Sequence, residues 1–80
     1  MSTRTFMRRF RAATGSTPHR WLLHQRMIAA QQRLEATADS IEDIAESVGL
    51  QTAATLRHHF RRIFRTSPSR YRQRFTRVVA

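Results

Sequence analysis

Apolar residues recur along most of the chain at spacings of three and four, which is the period of an α-helix and not the alternation of a β-strand. Serine, threonine, proline and glycine residues, which mark the ends of helices, interrupt this pattern. The pattern therefore predicts five helices and no strand. The chain is therefore predicted to be all-α. The helices are expected at about Thr3 to Thr14 (capped by Ser2), at Pro18 to Ala36, between Ser40 and Gly49, at about Ala53 to Arg65, and after Ser67, where Tyr71, Phe75 and Val78 are the apolar anchors.

The second predicted helix differs from the others because it carries apolar residues on two opposite faces. At about 100° per residue, one face holds Trp21, Leu22, Gln25, Ile28 and Ala29, and the other holds Leu23, Met27, Ala30 and Leu34. A surface helix of a globular protein usually shows a single apolar stripe. The pattern therefore indicates either the central helix of one small core or a bridge between two packed units.

The two ends of the chain match each other at an offset of fifty residues. The matched pairs include Phe10 with Phe60, Thr17 with Ser67, Pro18 with Pro68, and Trp21 with Tyr71. Each pair shares a predicted role, such as core anchor or first helical proline, which indicates a duplicated unit. In the second copy, Ala45 and Gly49 precede a helix with a basic outer face, which is the helix-turn-helix arrangement. By the offset, the supporting helix of the first copy would lie before Met1, so we expect the first helix-turn-helix to be N-terminally truncated.

The charge of the chain is strongly positive and unevenly distributed. All fifteen basic residues are arginine, and the five carboxylates lie between Glu35 and Glu46, for a formal net charge of +10. This segregation favours an anionic partner, and the planar arginine fork suits contacts to phosphate and guanine. The chain is long enough for one small domain, contains no cysteine, and has no apolar run that could cross a membrane. The absence of cysteine fits a reducing compartment, so we expect the protein to be cytoplasmic.

Two strings of the sequence, which together span nearly the whole chain, resemble the AraC/XylS family of bacterial transcription regulators. They are MSTRTFMRRFRAATGSTPHRWLLHQR and IEDIAESVGLQTAATLRHHFRRIFRTSPSRYR. The resemblance implies two helix-turn-helix subdomains joined by one long helix. Residues 1–16 would be the reading helix of the truncated first subdomain, 17–36 the linking helix, and 37–80 the second subdomain with a C-terminal helix. The segments STPHRWLLHQR and AATLRHHFRR further resemble the branch that carries an upstream amidase-like domain of the DJ-1/PfpI type.

The resemblance also implies a function and the residues that perform it. The chain would be the DNA-binding domain of a transcription regulator, with double-stranded DNA as its partner, RNA polymerase as a candidate further partner, and the effector domain outside this chain. The residues implied for base contacts in the major groove are Arg4, Met7, Arg8, Ala53, Ala54, Arg57 and His58. Those implied for phosphate contacts are Thr3, Arg11, Thr52, Arg61, Ser67 and Arg70. Arg65 departs from the family pattern, because it stands where a glycine usually ends the helix, as Gly15 does in the first copy.

The residues themselves do not indicate catalysis or metal binding. No set of a nucleophile, a base and an orienting group is visible, so neither catalytic residues nor a cofactor are expected. His58 and His59 point about 100° apart on a helix, with no cysteine or suitably spaced carboxylate beside them, so a metal site is not expected. His59 is predicted to be a half-buried spacer, and Trp21 and Tyr71 are predicted to be core aromatic residues.

Two other functions remain open on the sequence alone. A cationic amphipathic protein that lies on a membrane surface would explain the charge, and so would a basic RNA-binding module. The capped helices and the Gly49 turn argue against the first, because membrane-surface peptides need neither. The second is disfavoured because the aromatic residues that could stack on bases are predicted to be buried. Sequence-specific binding of double-stranded DNA is therefore the leading hypothesis.

Overall fold

The computed structural model describes residues 3–79, and it describes the side chains of all of these except residues 14 and 77–79. Five α-helices make up this part: α1 (Thr3–Thr14), α2 (Pro18–Ala36), α3 (Ile41–Ser47), α4 (Ala53–Phe64) and α5 (Pro68–Val79). Since residues 3–79 contain no strand, the predicted all-α class is confirmed. Ser2, the expected cap of α1, and the side chain of Val78, an expected anchor of α5, lie outside the described parts.

Hydroxyl residues cap four of these helices at their N-termini. The caps are Thr17 for α2, Ser40 for α3, Thr52 for α4 and Ser67 for α5. In each case the side-chain oxygen accepts a hydrogen bond from the backbone N–H three residues later, at 3.1–3.2 Å. A cap of this kind stabilises a helix by roughly 1 kcal/mol. The four predicted helix starts are therefore confirmed together with their cause.

Three residues after helices adopt the left-handed backbone conformation. Gly15 follows α1 with φ 73°, Gly49 follows α3 with φ 86°, and Arg65 follows α4 with φ 61°. Glycine adopts this region freely, whereas a residue with a Cβ pays roughly 1–2 kcal/mol. The N–H of Arg65 donates to the carbonyl oxygen of Arg61 at 3.0 Å. Arg65 therefore closes α4 in the conformation that Gly15 provides after α1, and it stores backbone strain there.

The core lies in the second half of the molecule, against one face of α2. Its buried residues are Met27, Ala30 and Leu34 from α2, with Ile44, Ala45, Leu50, Leu56 and Phe60 from the α3–α4 part. The half-buried ring of Tyr71 packs against this cluster, 5.8 Å from Phe60 between ring centroids. The predicted inward face of α2 and the packing role of Tyr71 are thus confirmed.

Polar side chains of α5 fix it to the C-terminal end of α2. Arg72 donates hydrogen bonds to the carbonyl oxygens of Leu34 at 3.3 Å and of Thr37 at 3.2 Å. The Tyr71 hydroxyl donates to the carboxylate of Glu35. Burial, this hydrogen bond and the negative charge of Glu35 raise the pKa of Tyr71 to about 12. The end of α2, the core and α5 therefore form one connected unit.

The opposite face of α2 holds α1 with thinner packing. Phe10 meets Trp21 edge-on at 5.7 Å between ring centroids, and Phe6 lies 6.0 Å from Phe10. Trp21 remains 43% exposed, Leu22 44% and Phe6 49%. The prediction that Trp21 is a core residue is therefore wrong, because one phenylalanine ring, set nearly perpendicular to the indole, covers only part of it.

Both predicted interpretations of α2 describe part of its role. One of its faces is a core face, and the other carries α1, so α2 is at once the centre of the larger unit and a bridge to a smaller one. Its nineteen residues span about 28 Å. The molecule is accordingly elongated, with principal extents of 48 × 24 × 19 Å.

Candidate nucleic-acid interface

The outer face of α1 is basic and open to solvent. Arg4, Arg8 and Arg11 are exposed, and Met7 beside them is 40% exposed. The helical period places the three arginines on the side of α1 away from Phe10, which packs on α2, and it places Met7 at the margin between the two sides. The α1 residues expected to contact bases, Arg4, Met7 and Arg8, are therefore all accessible to a partner.

The outer face of α4 repeats this arrangement. Ala54, Arg57, His58 and Arg61 are exposed, while Leu56 and Phe60 on the other side are fully buried. α3 packs across α4, and the tight turn at Gly49 joins the two helices. This pair has the architecture of a helix-turn-helix, in which the second helix presents its outer face to a nucleic acid.

Ala53 does not belong to this exposed face. It is the first residue of α4 and is only 7% exposed. Residues 53, 56 and 60 recur at spacings of three and four, which puts Ala53 on the same side as the core residues Leu56 and Phe60. The expectation that Ala53 contacts a base is therefore corrected, because the protein itself covers its methyl group. The helical spacing of residues 53, 56 and 60, which indicates this burial, is already present in the sequence.

One carboxylate of α3 reaches the basic face of α4. Glu42 Oε1 lies 3.9 Å from Arg57 Nη2, and both side chains are more than half exposed. An ion pair this open to water contributes less than about 1 kcal/mol. Arg57 is therefore held weakly and can turn to another acceptor at little cost. The sequence alone did not show this pair, because it depends on how α3 crosses α4.

The residues expected to meet phosphates lie at helix starts and on outer faces. Thr3, Arg11, Arg61 and Arg70 are exposed. The hydroxyl oxygens of Thr52 and Ser67 already accept cap hydrogen bonds, at 3.1 Å each. A hydroxyl that accepts one bond can still donate another, so capping does not prevent either group from contacting a phosphate oxygen.

The electrostatic field of these faces is positive. Every carboxylate side chain of the sequence lies within residues 35–46, so neither α1, α4 nor α5 carries one. Burial, then the nearby His58, Arg62 and His19, lower the pKa of His59 below its ordinary value of 6.5. His59 is half-buried as predicted, and His58 is exposed. The basic side chains thus repel further positive charge and are open to an anion.

Residues 3–79 include no group of three or more histidine, cysteine, aspartate or glutamate side chains that could hold a metal ion. Among the helices of the same range, none is both long and apolar enough to cross a membrane.

Two helices with basic outer faces on a shared long helix, one of them preceded by a supporting helix and a glycine turn, define a helix-turn-helix DNA-binding domain of the AraC type. Residues 1–74 match the sequence family described as a helix-turn-helix domain. The chain belongs to this family, and its relatives are AraC/XylS transcription regulators. The family is a DNA-binding family and not an enzyme family, which agrees with the expectation from the sequence.

Individual relatives show the same relationship. The chain is 36% identical over 73 residues to the HTH-type transcriptional regulator MtrA of Neisseria gonorrhoeae, covering 91% of this chain and 24% of the regulator. It is 40% identical over 75 residues to the HTH-type transcriptional regulator Rv1931c of Mycobacterium tuberculosis, covering 94% of this chain and 29% of the regulator. The chain thus spans about a quarter of the length of these curated relatives.

A solved structure supports the fold directly. The DNA-binding domain of AdpA, a global transcriptional factor crystallised in complex with a target DNA, superimposes with a TM-score of 0.90. The two are 45% identical, and the match covers 94% of this chain and 68% of that one. The predicted family and the predicted fold of two helix-turn-helix subdomains on a long helix are confirmed.

Proposed function

We propose that this domain binds double-stranded DNA in a sequence-specific manner, with α1 and α4 in two successive major-groove segments. The observation that carries the proposal is the placement of two exposed arginine faces on α1 and α4, both attached to α2. The span of α2, about 28 Å, is comparable to the roughly 34 Å between successive entries into the major groove on one side of B-DNA. The DNA complex of the AdpA domain, a structural neighbour, supports the same partner.

Within this proposal the two faces have different tasks. Base edges meet the side chains at the centre of each outer face, namely Arg4, Met7 and Arg8 on α1, and Ala54, Arg57 and His58 on α4. Phosphates meet the residues at the margins, namely Thr3, Arg11, Thr52, Arg61, Ser67 and Arg70. Arginine is suited to the base contacts because it can grip guanine O6 and N7 with two hydrogen bonds.

The larger setting follows from the family. The domain acts as the DNA-binding part of a bacterial transcription regulator in the cytoplasm, at the nucleoid, where RNA polymerase is a candidate partner. In this setting the first reading unit comprises residues 1–16. The linking helix comprises residues 17–36, and the second unit comprises residues 37–80. The resemblance of two segments to the branch with an upstream DJ-1/PfpI-type domain stays a prediction from the sequence.

Selection of bound sites from random duplexes, followed by footprinting, tests the proposal. Two protected major-groove patches about one helical turn apart on one side of the DNA are the expected result. A single patch would restrict the reading function to one helix. Equal affinity for all duplexes, or tighter binding to structured RNA in competition, would reject sequence-specific DNA recognition.

A further inference from the structure

A cleft of about 720 Å³ separates the α1–α2 turn and the first half of α2 from one flank of α4. Five of the side chains that line it can carry positive charge: His19, Arg20, His24, His59 and Arg62. None of the residues proposed above for base or phosphate contact lines this cleft. Three of the four histidines of the chain are therefore gathered outside the reading faces.

The cleft is a cationic environment without a compensating acid. No carboxylate is among its lining residues, all of which lie in the described part of the chain. The Nδ1 atom of His59 is shut off from solvent and has no hydrogen-bond partner. The charged groups that face His59 are His58 and Arg62 on its own helix and His19 on α2, and Arg20 and His24 of α2 line the same cleft. An anion placed here would neutralise several like charges at once.

The surroundings of His59 also explain why an anion would change its protonation. Burial and the neighbouring cations lower the pKa of this imidazole below 6.5, so it is mostly neutral at pH 7. An anion within hydrogen-bond reach favours the charged form and therefore raises the pKa. Binding of the anion and uptake of a proton are then linked.

The cleft lies between the two proposed reading helices, because its walls are the turn that follows α1 and the flank of α4 next to His58. DNA that places adjacent major-groove segments on α1 and α4 carries its sugar-phosphate backbone across the space between them. We propose that this cleft binds a phosphate group through His19, His59, Arg20 and Arg62, with proton uptake by His59. Where the phosphate belongs to the DNA strand, the inference rests on the proposed function.

The linkage has a definite sign. If His59 is more protonated in the complex than in the free protein, affinity falls as pH rises through the interval between the two pKa values of His59. The free value lies below 6.5, so the interval begins below pH 6.5. Uptake of one proton corresponds to a change in affinity of up to about tenfold per pH unit within it.

The experiment measures duplex affinity from pH 5.5 to 8 at constant ionic strength, alongside an NMR pH titration of the four imidazoles. The duplex is the one recovered by site selection. We expect tighter binding at lower pH, and a higher pKa of His59 in the complex. The variants His59→Gln and Arg62→Gln should lose most of the pH dependence, with helicity verified by circular dichroism. The matched variant Arg9→Gln, at an exposed arginine outside both the cleft and the proposed DNA contacts, should keep it.

A second titration with inorganic phosphate alone distinguishes the source of the ligand. If the duplex raises the pKa of His59, the strand supplies the phosphate. If only inorganic phosphate raises it, the cleft is a site for a free phosphate group, and strand contact is excluded. If neither does, or if His59→Gln retains the full pH dependence, the inference is overturned. Failure of the domain to bind any duplex would reject the proposed function, while the inorganic phosphate titration would still test the cleft.

Discussion

Arg57 and Arg61 stand one turn apart on the exposed face of α4, yet the structure gives them different surroundings. Arg57 lies near the helix start, 3.9 Å from Glu42, whereas Arg61 lies in the last turn. The pair with Glu42 is exposed and weak, so substitution of Arg57 should leave folding stability within about 1 kcal/mol. The two arginines therefore form a matched pair for separating base contact from phosphate contact.

The variant Arg57→Ala should lose discrimination at one base pair in one half of the footprint, by about 1–3 kcal/mol. The variant Arg61→Ala should weaken binding to all sequences alike and reduce the slope of affinity against salt by about one. Affinity measurements on the selected duplex and on single-base variants at several salt concentrations give both quantities. A uniform loss for Arg57→Ala would contradict its role as a base reader.

Some properties of single residues could be predicted from the sequence, and others could not. The capping hydroxyls could be predicted because they follow from local backbone chemistry, whereas only the family resemblance marked Arg65 as a residue in the place of a helix-ending glycine. Ala53 was assigned to the wrong face, although its helical spacing to Leu56 indicated burial. The contact of Glu42 with Arg57 and the approach of His19 to His59 could not be predicted, since they depend on the relative placement of two helices.

Among the elements, α4 shows a strain that can be relieved. Arg65 ends it at φ 61°, where glycine would sit without cost. The variant Arg65→Gly should raise the free energy of unfolding by about 0.5–1 kcal/mol, since the relieved strain exceeds the added flexibility of the unfolded chain. Urea denaturation followed by circular dichroism measures the change.

The first copy of the repeat supplies the opposite variant. Gly15 has φ 73°, and a Cβ added there would meet no atom within 4 Å. Gly15→Ala should therefore lower stability through backbone strain alone, by about 1 kcal/mol. If Arg65→Gly instead lowers stability, the left-handed cap does not carry the strain assigned to it.

The junction of α2 and α5 makes stability depend on alkaline pH. The pKa of Tyr71 is raised to about 12 in the folded protein from 10.0, through burial, its hydrogen bond to Glu35 and the charge of Glu35. Because the folded value is the higher one, the contribution to stability is fully present below pH 10 and is lost as pH rises towards 12. Tyr71 is the only tyrosine, so the tyrosinate absorbance reports this group alone, and the chain has no lysine side chain that would titrate in the same pH range.

The variant Tyr71→Phe should lower stability at pH 7 by about 1 kcal/mol and should remove this part of the alkaline slope. Thermal unfolding at pH 7 to 11 measures both effects. Equal alkaline slopes in the wild type and the variant would show that Tyr71 does not couple folding to pH.

Most element boundaries were predictable because caps, prolines and glycines mark them chemically. The two apolar faces of α2 were also predictable, but their unequal burial was not. Met27 and Leu34 face a core built from three other segments, whereas Trp21 meets one phenylalanine edge. The burial of a helix face depends on how much of the rest of the protein packs against it. The apolar pattern along one helix therefore does not predict it.

For the whole molecule, the rigidity of α2 predicts a fixed distance between the two contacts with DNA. Insertion of about five base pairs between the two protected patches rotates one of them to the far side of the duplex. Insertion of about ten base pairs returns both patches to the same side of the duplex but doubles the distance between them. A continuous helix of about 28 Å cannot follow either change, so both insertions should reduce affinity to that of a single patch.

Gel-shift titrations on the selected duplex and the two lengthened duplexes test this expectation, with the isolated single patch as the reference. Recovery of full affinity with the ten-base-pair insertion would mean that the connection between α1 and α4 bends or extends. Loss of affinity with both insertions would identify α2 as the element that sets the spacing.

The unequal packing on the two faces of α2 has a consequence for local unfolding. α1 packs on α2 through the contact of Phe10 with the partly exposed Trp21, while α3, α4 and α5 share a core with buried Phe60. Opening α1 exposes little additional apolar surface and leaves that core intact, so it requires only a fraction of the global free energy. Amide hydrogens of α1 should therefore exchange with deuterium at least tenfold faster than those of α4 in the free domain. DNA that engages the α1 arginines binds only molecules in which α1 is folded against α2, so its affinity is reduced by the fraction in which α1 is open. Bound DNA should therefore slow hydrogen exchange more in α1 than in the other helices.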